Sequence, residues 1–448
     1  MRFALDLLYL LGLLLASPWL LYRLVRSSGW RDLPARLGLI AAPAGAVWLH
    51  GSSVGEVRLI EPLIRLFEQR GLPLIVSSHT STGVRSAKLA YPGHTAFRLP
   101  LDLSFIQRRV MARLRPRLLI VVESDLWPNQ LLAAESQNVP VAVINAKLSE
   151  RSLRLHRASR IVPRALRNVA LVAAQTEAHA ARFEDLGVSR VRITVTGNMK
   201  YDLTVGEIDE SVRAGLRQEL EFADDACVII GGSLHAREDE DLLAAFRHVL
   251  DATPSARLVI VPRYPDQAAR VMHNVARAGF EAIAWSETRR SAGGADKDRA
   301  VMVVDTLGEL KRFYAASDIA FVGGSLYFRS SNKGGHNLME PAILGLPVLF
   351  GPYNLSFSET VADLLAADAG IMVRDRNELA AALSALAESK VRRLEMGASA
   401  RRVVIDGQGA SERNFELLLP LLESATACSP IADTAQCRHQ PQTRIVNE

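Results

Sequence analysis

Cysteine and aromatic residues are scarce in this chain. Three cysteines, Cys227, Cys428 and Cys437, occur among 448 residues, and aromatic residues make up 6%. Cysteines so few and odd in number give no disulfide framework. Hydrophobic residues make up 49% of the chain and charged residues 23%, which excludes a disordered or collagen-like protein. The length then predicts two or three domains.

Several motifs of common enzyme classes are absent. No G-x-G-x-x-G follows a predicted strand, and the chain lacks G-x-x-x-x-G-K-[ST], H-E-x-x-H and paired C-x-x-C. Asp239–Asp241 resembles a metal-binding acidic triplet. Residues two apart on a helix do not share a face, so these acids are predicted to be a solvated helix start. A dehydrogenase, a P-loop enzyme and a zinc enzyme are disfavoured, and no metal or cofactor is predicted.

The amino terminus is predicted to be a membrane anchor. The segment Phe3–Tyr22 is apolar apart from Asp6, Ser17 and Pro18, and it contains ten leucines. About 20 apolar residues span a bilayer. Arginines follow the segment, and the positive-inside rule then places the remaining chain in the cytoplasm. Residues 1–26 are therefore expected to span the membrane or lie on it; the alternative is a helix docked in the protein.

Past Gly45 the sequence alternates short β-branched runs with helical stretches, and each run is unalternating, as in parallel strands buried on both faces. The first series of predicted strands is Val47–His50, Leu74–Ser78, Phe97–Leu99, Leu118–Val122, Val141–Asn145, Leu171–Ala174 and Ile193–Val195. The second series is Val228–Gly231, Leu258–Val261, Ala282–Trp285, Val301–Val304, Ile319–Val322 and Val348–Phe350. The pattern predicts an α/β protein with two Rossmann-like, doubly wound domains facing a cleft, at residues 27–205 and 206–423. Residues 424–448 are predicted to be a flexible tail.

Loops rich in small and polar residues follow strands of the first series. His50–Glu56 opens a helix, where Glu56 is either a general base or a carboxylate that complements the helix dipole. Val122–Asn129 places Glu123 and Asp125 at a strand exit, an arrangement that favours function. In Thr196–Asp202, Lys200 either reaches an anion or is a plain surface lysine.

The second series carries the features of a nucleotide site. In Val261–Pro265, Arg263 stands between two prolines at a strand end, and its planar guanidinium suits a phosphate or a base edge. Gly334–Pro341 precedes a helix, so its glycines and the helix N-terminus suit a phosphate, while Glu340 suits a ribose diol. Gly231–His235 is another strand exit of small residues.

Arginine clusters point to an anionic surface. The formal net charge is only +5, yet arginines recur within 108–117 and every three or four residues within 151–167. The second run is predicted to form one face of an amphipathic helix for anionic lipid, with Arg154, Arg157 and Arg160 contacting the acceptor or the membrane. Nucleic acid is disfavoured, because a leading apolar segment is present and aromatics near the arginines are few.

These motifs together resemble the family of Kdo (3-deoxy-D-manno-octulosonic acid) transferases, from the anchor to about residue 420. The segments that carry the resemblance, in family order, are His50–Glu56, Glu123–Asn129, Asn145–Arg151, Thr196–Asp202, Val261–Pro265, Asp305–Leu310, Phe321–Leu326 and Gly334–Pro341. The resemblance implies a GT-B fold and inverting, metal-independent transfer of Kdo from CMP-Kdo to the lipid A precursor of lipopolysaccharide. It also implies release of CMP and action at the cytoplasmic face of the inner membrane.

The resemblance assigns roles to single residues. Glu56 matches the family's general base, and Glu123 and Lys200 match positions that stabilise the transition state. The positions that match CMP-contacting loops are Pro262, Arg263, Leu307, Gly308, Glu309, Asn337, Leu338, Met339 and Glu340. The chain departs from the pattern at residues 327–333, where the family has a very short link, and at Asp125, where glutamate is common.

Two alternatives stay open on the sequence alone. A membrane-associated GT-B enzyme that uses a UDP-sugar has the same architecture and differs only in its donor. A membrane-tethered nucleotide-binding or scaffold module predicts nucleotide binding without turnover, and the carboxylates at Glu56 and Glu123 argue against it.

Overall fold

The computed structural model divides the chain into two compact α/β units. It describes residues 6–7, 9, 11–12, 14–15, 17–18, 32–203, 210–220, 222–223, 225–288, 300–329 and 334–427. The first unit takes the residues up to Leu203 together with those from Gly409 onward, and the second takes Thr204–Gln408. The inner strands of each sheet are almost wholly buried, which explains their continuous apolar runs, whereas the strands at the sheet edges are partly exposed.

The first unit is built on a parallel seven-stranded sheet of order β3-β2-β1-β4-β5-β6-β7. Its strands are β1 Val47–His50, β2 Leu74–Ser78, β3 Thr95–Arg98, β4 Leu118–Val122, β5 Val141–Ala146, β6 Leu171–Ala174 and β7 Ile193–Val195. Its helices are Leu33–Arg36, Val54–Leu59, Glu61–Gln69, Ser81–Ala90, Ser104–Leu114, Pro128–Ser136, Glu150–Ser159, Ile161–Leu166, Glu177–Asp185 and Ala410–Ala427. All strands of the first predicted series are present, and five of them, β1, β2, β4, β6 and β7, have the predicted bounds.

The second unit repeats the design with the strand order β10-β11-β9-β8-β12-β13-β14. Its strands are β8 Val228–Leu234, β9 Arg257–Pro262, β10 Glu281–Ala284, β11 Ala300–Val303, β12 Ile319–Val322, β13 Val348–Phe350 and β14 Gly370–Met372. Its helices are Glu210–Glu219, Glu238–Ala252, Ala268–Arg277, Trp285–Thr288, Leu310–Ala316, Met339–Ile343, Ser358–Ala366, Arg376–Glu388 and Lys390–Gly407. Two parallel sheets are therefore confirmed, and β14 is a strand that the sequence did not predict.

The last described helix returns to the first unit. Phe415 packs against Phe67 with ring centroids 5.0 Å apart, and the Arg413 Nε donates to the Thr196 carbonyl oxygen at 2.9 Å. The Gly409 N–H donates to the Asp202 carboxylate at 2.7 Å. The predicted second domain, 206–423, thus differs from the structure, because the apolar face of helix Ala410–Ala427 is buried against the first sheet's helices.

The predicted anchor, residues 1–26, falls mostly outside the described residues. Where this stretch is described, the Asp6 carboxylate accepts hydrogen bonds from the Ser104 N–H at 2.8 Å and from the Asn129 amide at 3.2 Å. Leu7, Leu11, Leu14 and Leu15 are exposed. Across the described part of the chain, no helix is both long and apolar enough to cross a bilayer.

The arginine-rich stretch does not form one helix. It is divided into Glu150–Ser159 and Ile161–Leu166, because Arg160 adopts a left-handed conformation with φ 54° and ends the first helix. Arg154, Arg157 and Arg160 are all exposed. The predicted single face was wrong, although the positive charges remain at the surface.

The acidic helix start of the second unit was predicted to be solvated, but in the structure it is buried. Asp239 and Asp241 are 0% and 3% exposed. Asp239 pairs with Arg270 at 2.9 Å, and Asp241 pairs with Arg376 at 2.6 Å. Buried carboxylates require such partners, so these acids hold neighbouring helices together.

Candidate active site

In the first unit the strand order reverses between β1 and β4, which lie side by side. Val47 of β1 pairs with Leu118 of β4 in parallel register. Loops that leave the carboxyl ends of strands at such a reversal form the binding crevice of open α/β sheets. The loops that follow β1 and β4 are those that carry Glu56 and Glu123, so the topology brings the two predicted carboxylates to one place.

Glu56 lies in the first turn of helix Val54–Leu59, with its carboxylate turned back to the preceding loop. It accepts hydrogen bonds from the Ser52 N–H and from the Ser53 hydroxyl at 3.4 Å. Gly51 permits this close return, since a Cβ there would stand 3.1 Å from the Glu56 carbonyl carbon. The loop therefore fixes the carboxylate at the strand exit.

The pKa of Glu56 is raised to about 7, first by burial of the carboxyl and then by the negative charge of Glu123. The hydrogen bond from the Ser52 N–H lowers this pKa, but by less than burial and Glu123 raise it. A carboxyl with a pKa near the working pH suits a general base. A helix N-terminus favours an ionised carboxylate, yet the pKa of Glu56 is raised, because burial of the carboxyl is its largest cause.

Glu123 directly follows β4 with φ 61°, a left-handed conformation unusual for glutamate. Its carboxylate pairs with the Lys147 ammonium at 2.7 Å, and the Glu123 side chain is only 10% exposed. Lys147 lies within Asn145–Arg151, a motif of the resemblance, yet no role was predicted for it. A carboxylate and a cation thus stand together beside Glu56.

Asp125 is joined to β1 through a buried histidine. The Trp48 indole donates to the Ser77 hydroxyl at 2.7 Å, which leaves that hydroxyl able to donate to His50 Nδ1 at 2.9 Å. His50 Nε2 then donates to Asp125 at 2.8 Å. Burial would raise the pKa of Asp125, but hydrogen bonding and charge from His50 hold it below its ordinary value. Asp125 is therefore ionised at neutral pH, whereas Glu56 is only partly ionised there.

Lys200 belongs to the loop after β7, and a residue of β5 anchors this loop by a hydrogen bond. The Met199 N–H donates to the Asn145 side-chain oxygen at 2.9 Å, and the Lys200 N–H donates to the Asn198 side chain at 3.0 Å. Asn145 belongs to β5, two residues before Lys147. The loop of Lys200 is thus held at the same sheet edge as the pair Glu123–Lys147.

We refer to Glu56, Glu123, Asp125, His50 and Lys147 as the Glu56 cluster.

In the second unit the strand order reverses between β8 and β12. Glu238 is fully buried and joins the two strand exits. Its carboxylate accepts the backbone N–H of His235 at 3.0 Å, that of Gly324 at 2.8 Å and that of Ser325 at 3.0 Å. One acid therefore fixes both loops of this crevice.

Two histidines meet at this crevice. His235 and His336 are stacked, with ring centroids 5.2 Å apart and planes 7° apart, and their Nε2 atoms lie 3.0 Å from each other. Gly324 allows the contact, since it has φ 73° and a Cβ would stand 2.8 Å from the His336 ring. Burial and the charges of Arg329 and Arg263 lower the pKa of His235 to about 4, so the pair is neutral. Both histidines lie in loops that the sequence analysis named, Gly231–His235 and Gly334–Pro341, but no role was predicted for either.

Arg263 follows β9, and its N–H donates to the Leu234 carbonyl oxygen at 2.8 Å. Its guanidinium is exposed and lies 5.3 Å from the centroid of the Tyr264 ring. The charge of Arg263 acts on His235, on His336 and on Glu340. The predicted arginine therefore shares one region with the histidine pair and the predicted acid.

The loop Asn337–Glu340 is held by its own side chains. Asn337 accepts the Met339 N–H at 3.1 Å and donates to the Glu340 carboxylate at 3.1 Å. Burial raises the pKa of Glu340. Leu338 and Met339 are buried, as is Pro262 at the end of β9.

The loop 307–309 is the third segment that was predicted to contact the donor. Leu307 is 84% exposed, Gly308 has φ 91°, and Glu309 precedes helix Leu310–Ala316. Within the described ranges, no group of three histidine, cysteine or acidic side chains is placed to hold a metal ion.

Comparison with known proteins identifies the family. A family model for 3-deoxy-D-manno-octulosonic-acid transferase (kdotransferase) matches residues 31–203. The 3-deoxy-D-manno-octulosonic acid transferase of Bordetella pertussis is 34% identical over 426 residues, which cover 89% of this chain and 94% of that protein. The chain belongs to the Kdo transferase family. The transferase of the same name from Haemophilus influenzae is 33% identical over 390 residues, covering 85% and 88%.

The resemblance inferred from the motifs is thus confirmed, and this Kdo transferase is a glycosyltransferase. Solved structures of lower identity share its fold. HepE of Anabaena, in complex with UDP, has a TM-score of 0.55 at 14% identity and covers 84% of this chain and 100% of its own. S. aureus MnaA, also with UDP, has a TM-score of 0.51 at 17% identity and covers 84% and 97%. At these identities the likeness concerns the fold alone.

Proposed function

We propose that this Kdo transferase has a GT-B fold and moves Kdo from CMP-Kdo to a lipid A precursor with inversion, releasing CMP. The observation that supports it most is the Glu56 cluster. A carboxyl whose pKa is about 7 stands at a strand-order reversal beside the pair Glu123–Lys147, 2.7 Å apart. General-base catalysis of glycosyl transfer needs one such carboxylate.

Glu56 acts as the base on the acceptor hydroxyl. Its carboxylate takes the hydroxyl proton while the acceptor oxygen attacks the anomeric carbon of Kdo. The bond from that carbon to the phosphate oxygen breaks, and its electron pair leaves with CMP. A single displacement of this kind inverts the anomeric centre and forms no glycosyl-enzyme intermediate. Glu123 and Lys200 then stabilise charge around the transition state, and Asp125 and His50 hold the loop in place.

The second unit supplies the donor side. Arg263 and the loop Asn337–Glu340 bind CMP, with Pro262, Leu338 and Met339 shaping the pocket and 307–309 contributing backbone groups. A guanidinium and free backbone N–H groups are the usual partners of a nucleotide phosphate. No metal or cofactor is required in this scheme, because the arginine holds the charge that develops on the leaving phosphate.

The acceptor is an amphiphile, and the first unit carries a matching surface. Leu14 and Leu15 are 69% and 83% exposed, and the exposed Arg154, Arg157 and Arg160 lie in the same unit. Exposed apolar side chains and exposed cations both contribute to the binding of anionic membranes. We infer that the first unit associates with the cytoplasmic face of the inner membrane, by lying on the bilayer or by an anchor within residues 1–26.

The decisive experiment is product analysis. Purified full-length protein is incubated with CMP-Kdo and lipid A precursor, and mass spectrometry is expected to detect the precursor with added Kdo. A UDP-sugar is offered in parallel, with CMP and UDP as competitors. Transfer only from the UDP-sugar would establish the alternative donor, and nucleotide binding without any product would establish a scaffold.

The role of Glu56 has its own test. Glu56→Gln keeps the size of the side chain but cannot accept the proton, so kcat is expected to fall at least about a hundredfold with little change in CMP-Kdo affinity. The matched control is Glu61→Gln in the next helix, where the exposed acid pairs with Arg65. Turnover at the wild-type rate in Glu56→Gln would remove Glu56 from the mechanism.

A further inference from the structure

The first unit contains an apolar cavity that the proposed mechanism does not use. Its volume is about 180 Å³. Its walls are mainly apolar, with Tyr9, Leu99, Leu101, Leu103 and Trp127 among them, and its charged or polar members are Arg36, His79 and Asp102. We call this space the acyl cavity.

One wall of the cavity adjoins the Glu56 cluster. The imidazole of His79 stacks on the Trp127 indole with centroids 5.2 Å apart and planes 12° apart. The charges of Asp125 and His50 act on His79, and the same two groups act on Glu56. A ligand that reaches from the cavity past His79 therefore arrives at the predicted base.

The buried His79 Nδ1 atom has no hydrogen-bond partner among the described residues. A buried polar atom normally has one. A polar group of a ligand that extends out of the cavity would supply the missing hydrogen bond.

Positive charge stands on another side of the cavity. Burial and then the charge of Arg98 lower the pKa of Arg36, so two guanidinium groups lie close to each other. Asp32 is their nearby acid and bonds to Arg98 at 3.1 Å. Asp102 also lines the cavity, but its carboxylate already accepts hydrogen bonds from the Tyr9 hydroxyl and from two backbone N–H groups. The guanidinium groups of Arg36 and Arg98 therefore suit an anionic group of a ligand.

The segments that form the cavity continue into exposed apolar side chains. Leu37 and Leu39 follow Arg36 closely, Phe105 follows Leu103, and Leu7 and Leu11 flank Tyr9; all five are exposed. Arg36 is joined to the opposite wall, since its carbonyl oxygen accepts the Leu101 N–H at 2.9 Å. The cavity therefore lies beside an apolar surface, where a lipid can be supplied.

We propose that the acyl cavity binds part of one acyl chain of the acceptor lipid, while Arg36 and Arg98 bind one of its anionic groups. This inference rests on the proposed function, because an acylated and phosphorylated acceptor carries both groups. The cavity orients the acceptor so that its polar end reaches the Glu56 cluster. A cavity of about 150 Å³ holds benzene, so this one holds on the order of six carbons rather than a whole chain.

A filled cavity tests the inference. Leu101 is half-buried, so Leu101→Trp occupies the cavity with little demand on the fold. We compare kcat/KM for two acceptors, the acylated lipid A precursor and its fully deacylated form with the same phosphates. Wild-type protein is expected to prefer the acylated acceptor, and Leu101→Trp is expected to reduce that preference about tenfold or more, since displacing two buried methylenes has an effect of that size.

The matched control is Leu89→Trp, the same substitution at an exposed position of the same unit. It is expected to leave the preference unchanged. Transfer to the deacylated acceptor is expected to be equal in all three proteins, which shows that fold and chemistry are intact. An unchanged preference in Leu101→Trp would overturn the inference, and so would an equal loss on both acceptors.

A direct measurement covers the case in which Leu101→Trp does not fold. A precursor with bromine on the acyl chains quenches nearby tryptophan fluorescence, and Trp127 lines the cavity. Wild-type protein is expected to show a quenched component that is missing in Trp127→Phe. The same quenching in both proteins would place the chains elsewhere and overturn the inference. Kdo transfer with no acyl dependence would refute only the cavity, whereas no Kdo transfer at all would refute the proposed function.

Discussion

At the scale of single residues, several residues at strand ends adopt backbone conformations that L-amino acids avoid. Glu123 after β4, Asn145 in β5 and Ser233 in β8 have φ of 61°, 47° and 56°. Each such conformation costs on the order of 1–3 kcal/mol and persists only where surrounding contacts determine it. Lys147 holds Glu123, and Asn145 holds the loop before Lys200. The predicted transition-state residues are therefore fixed before substrate binds.

Glu123 also sets the pH at which Glu56 becomes a base. Glu123→Gln removes the negative charge that helps to raise the pKa of Glu56, so that pKa falls. Because Glu56 is active when ionised, the acid limb of kcat/KM is expected near pH 7 in the wild type and at lower pH in Glu123→Gln. Glu135→Gln, at an exposed acid of the same unit, should leave it in place. A limb that stayed fixed or moved upward in Glu123→Gln would contradict this coupling.

Arg263 is predicted to bind the donor phosphate through its planar guanidinium. Arg263→Lys keeps the charge but loses the fork of two donors, so CMP-Kdo affinity is expected to fall by about 1–3 kcal/mol. Calorimetry of donor binding measures the change. Arg277→Lys, at an exposed helix end of the same unit, is the control. Equal affinities for wild type and Arg263→Lys would exclude a phosphate contact.

At the scale of elements, strands were predictable because apolar, β-branched runs identify parallel strands directly. Gly370–Met372 escaped prediction because it is only 3 residues long and begins with glycine. The break at Arg160 was also invisible, since arginine has no intrinsic preference for φ 54°. Burial of Asp239 and Asp241 depends on Arg270 and Arg376, which are distant in sequence.

Helix Ala410–Ala427 completes the core of the first unit, and Phe415 is its central contact. Phe415 is 6% exposed and packs edge-on against Phe67. Phe415→Ala is expected to lower the free energy of unfolding by about 3–5 kcal/mol, as buried phenylalanine truncations do. Denaturant unfolding measures this, with Leu394→Ala, at an exposed position, as the control. A change below about 1 kcal/mol would mean that the helix contributes little to this core.

At the scale of the whole molecule, the sequence predicted which loops carry the chemistry but not how they are grouped. Both crevices depend on strand order, which sequence periodicity does not contain. Once β1 lies beside β4 and β8 beside β12, Glu56 meets Glu123, and His235 meets His336. The raised pKa of Glu56 was not predictable for the same reason, because desolvation is a property of the assembled fold.

Membrane association is a property of the whole surface of the first unit. Neutralising Arg154, Arg157 and Arg160 together to glutamine is expected to weaken binding to anionic liposomes, and the difference should fade at high salt. Cosedimentation at two ionic strengths measures this. A triple variant of the exposed Arg277, Arg392 and Arg402 in the second unit is the charge-matched control. Equal losses in both variants would indicate a nonspecific effect of net charge.

The return of the last helix has a consequence for biosynthesis. The apolar face of helix Glu61–Gln69 is covered by residues from Gly409 onward, yet about two hundred residues of the second unit are made in between. At roughly 5–20 residues per second, the ribosome needs on the order of ten seconds or more to supply the missing helix. During that interval Phe67 and its neighbours are exposed on the nascent chain. The first unit, which begins to be translated first, can therefore complete its core only after the whole second unit has been made.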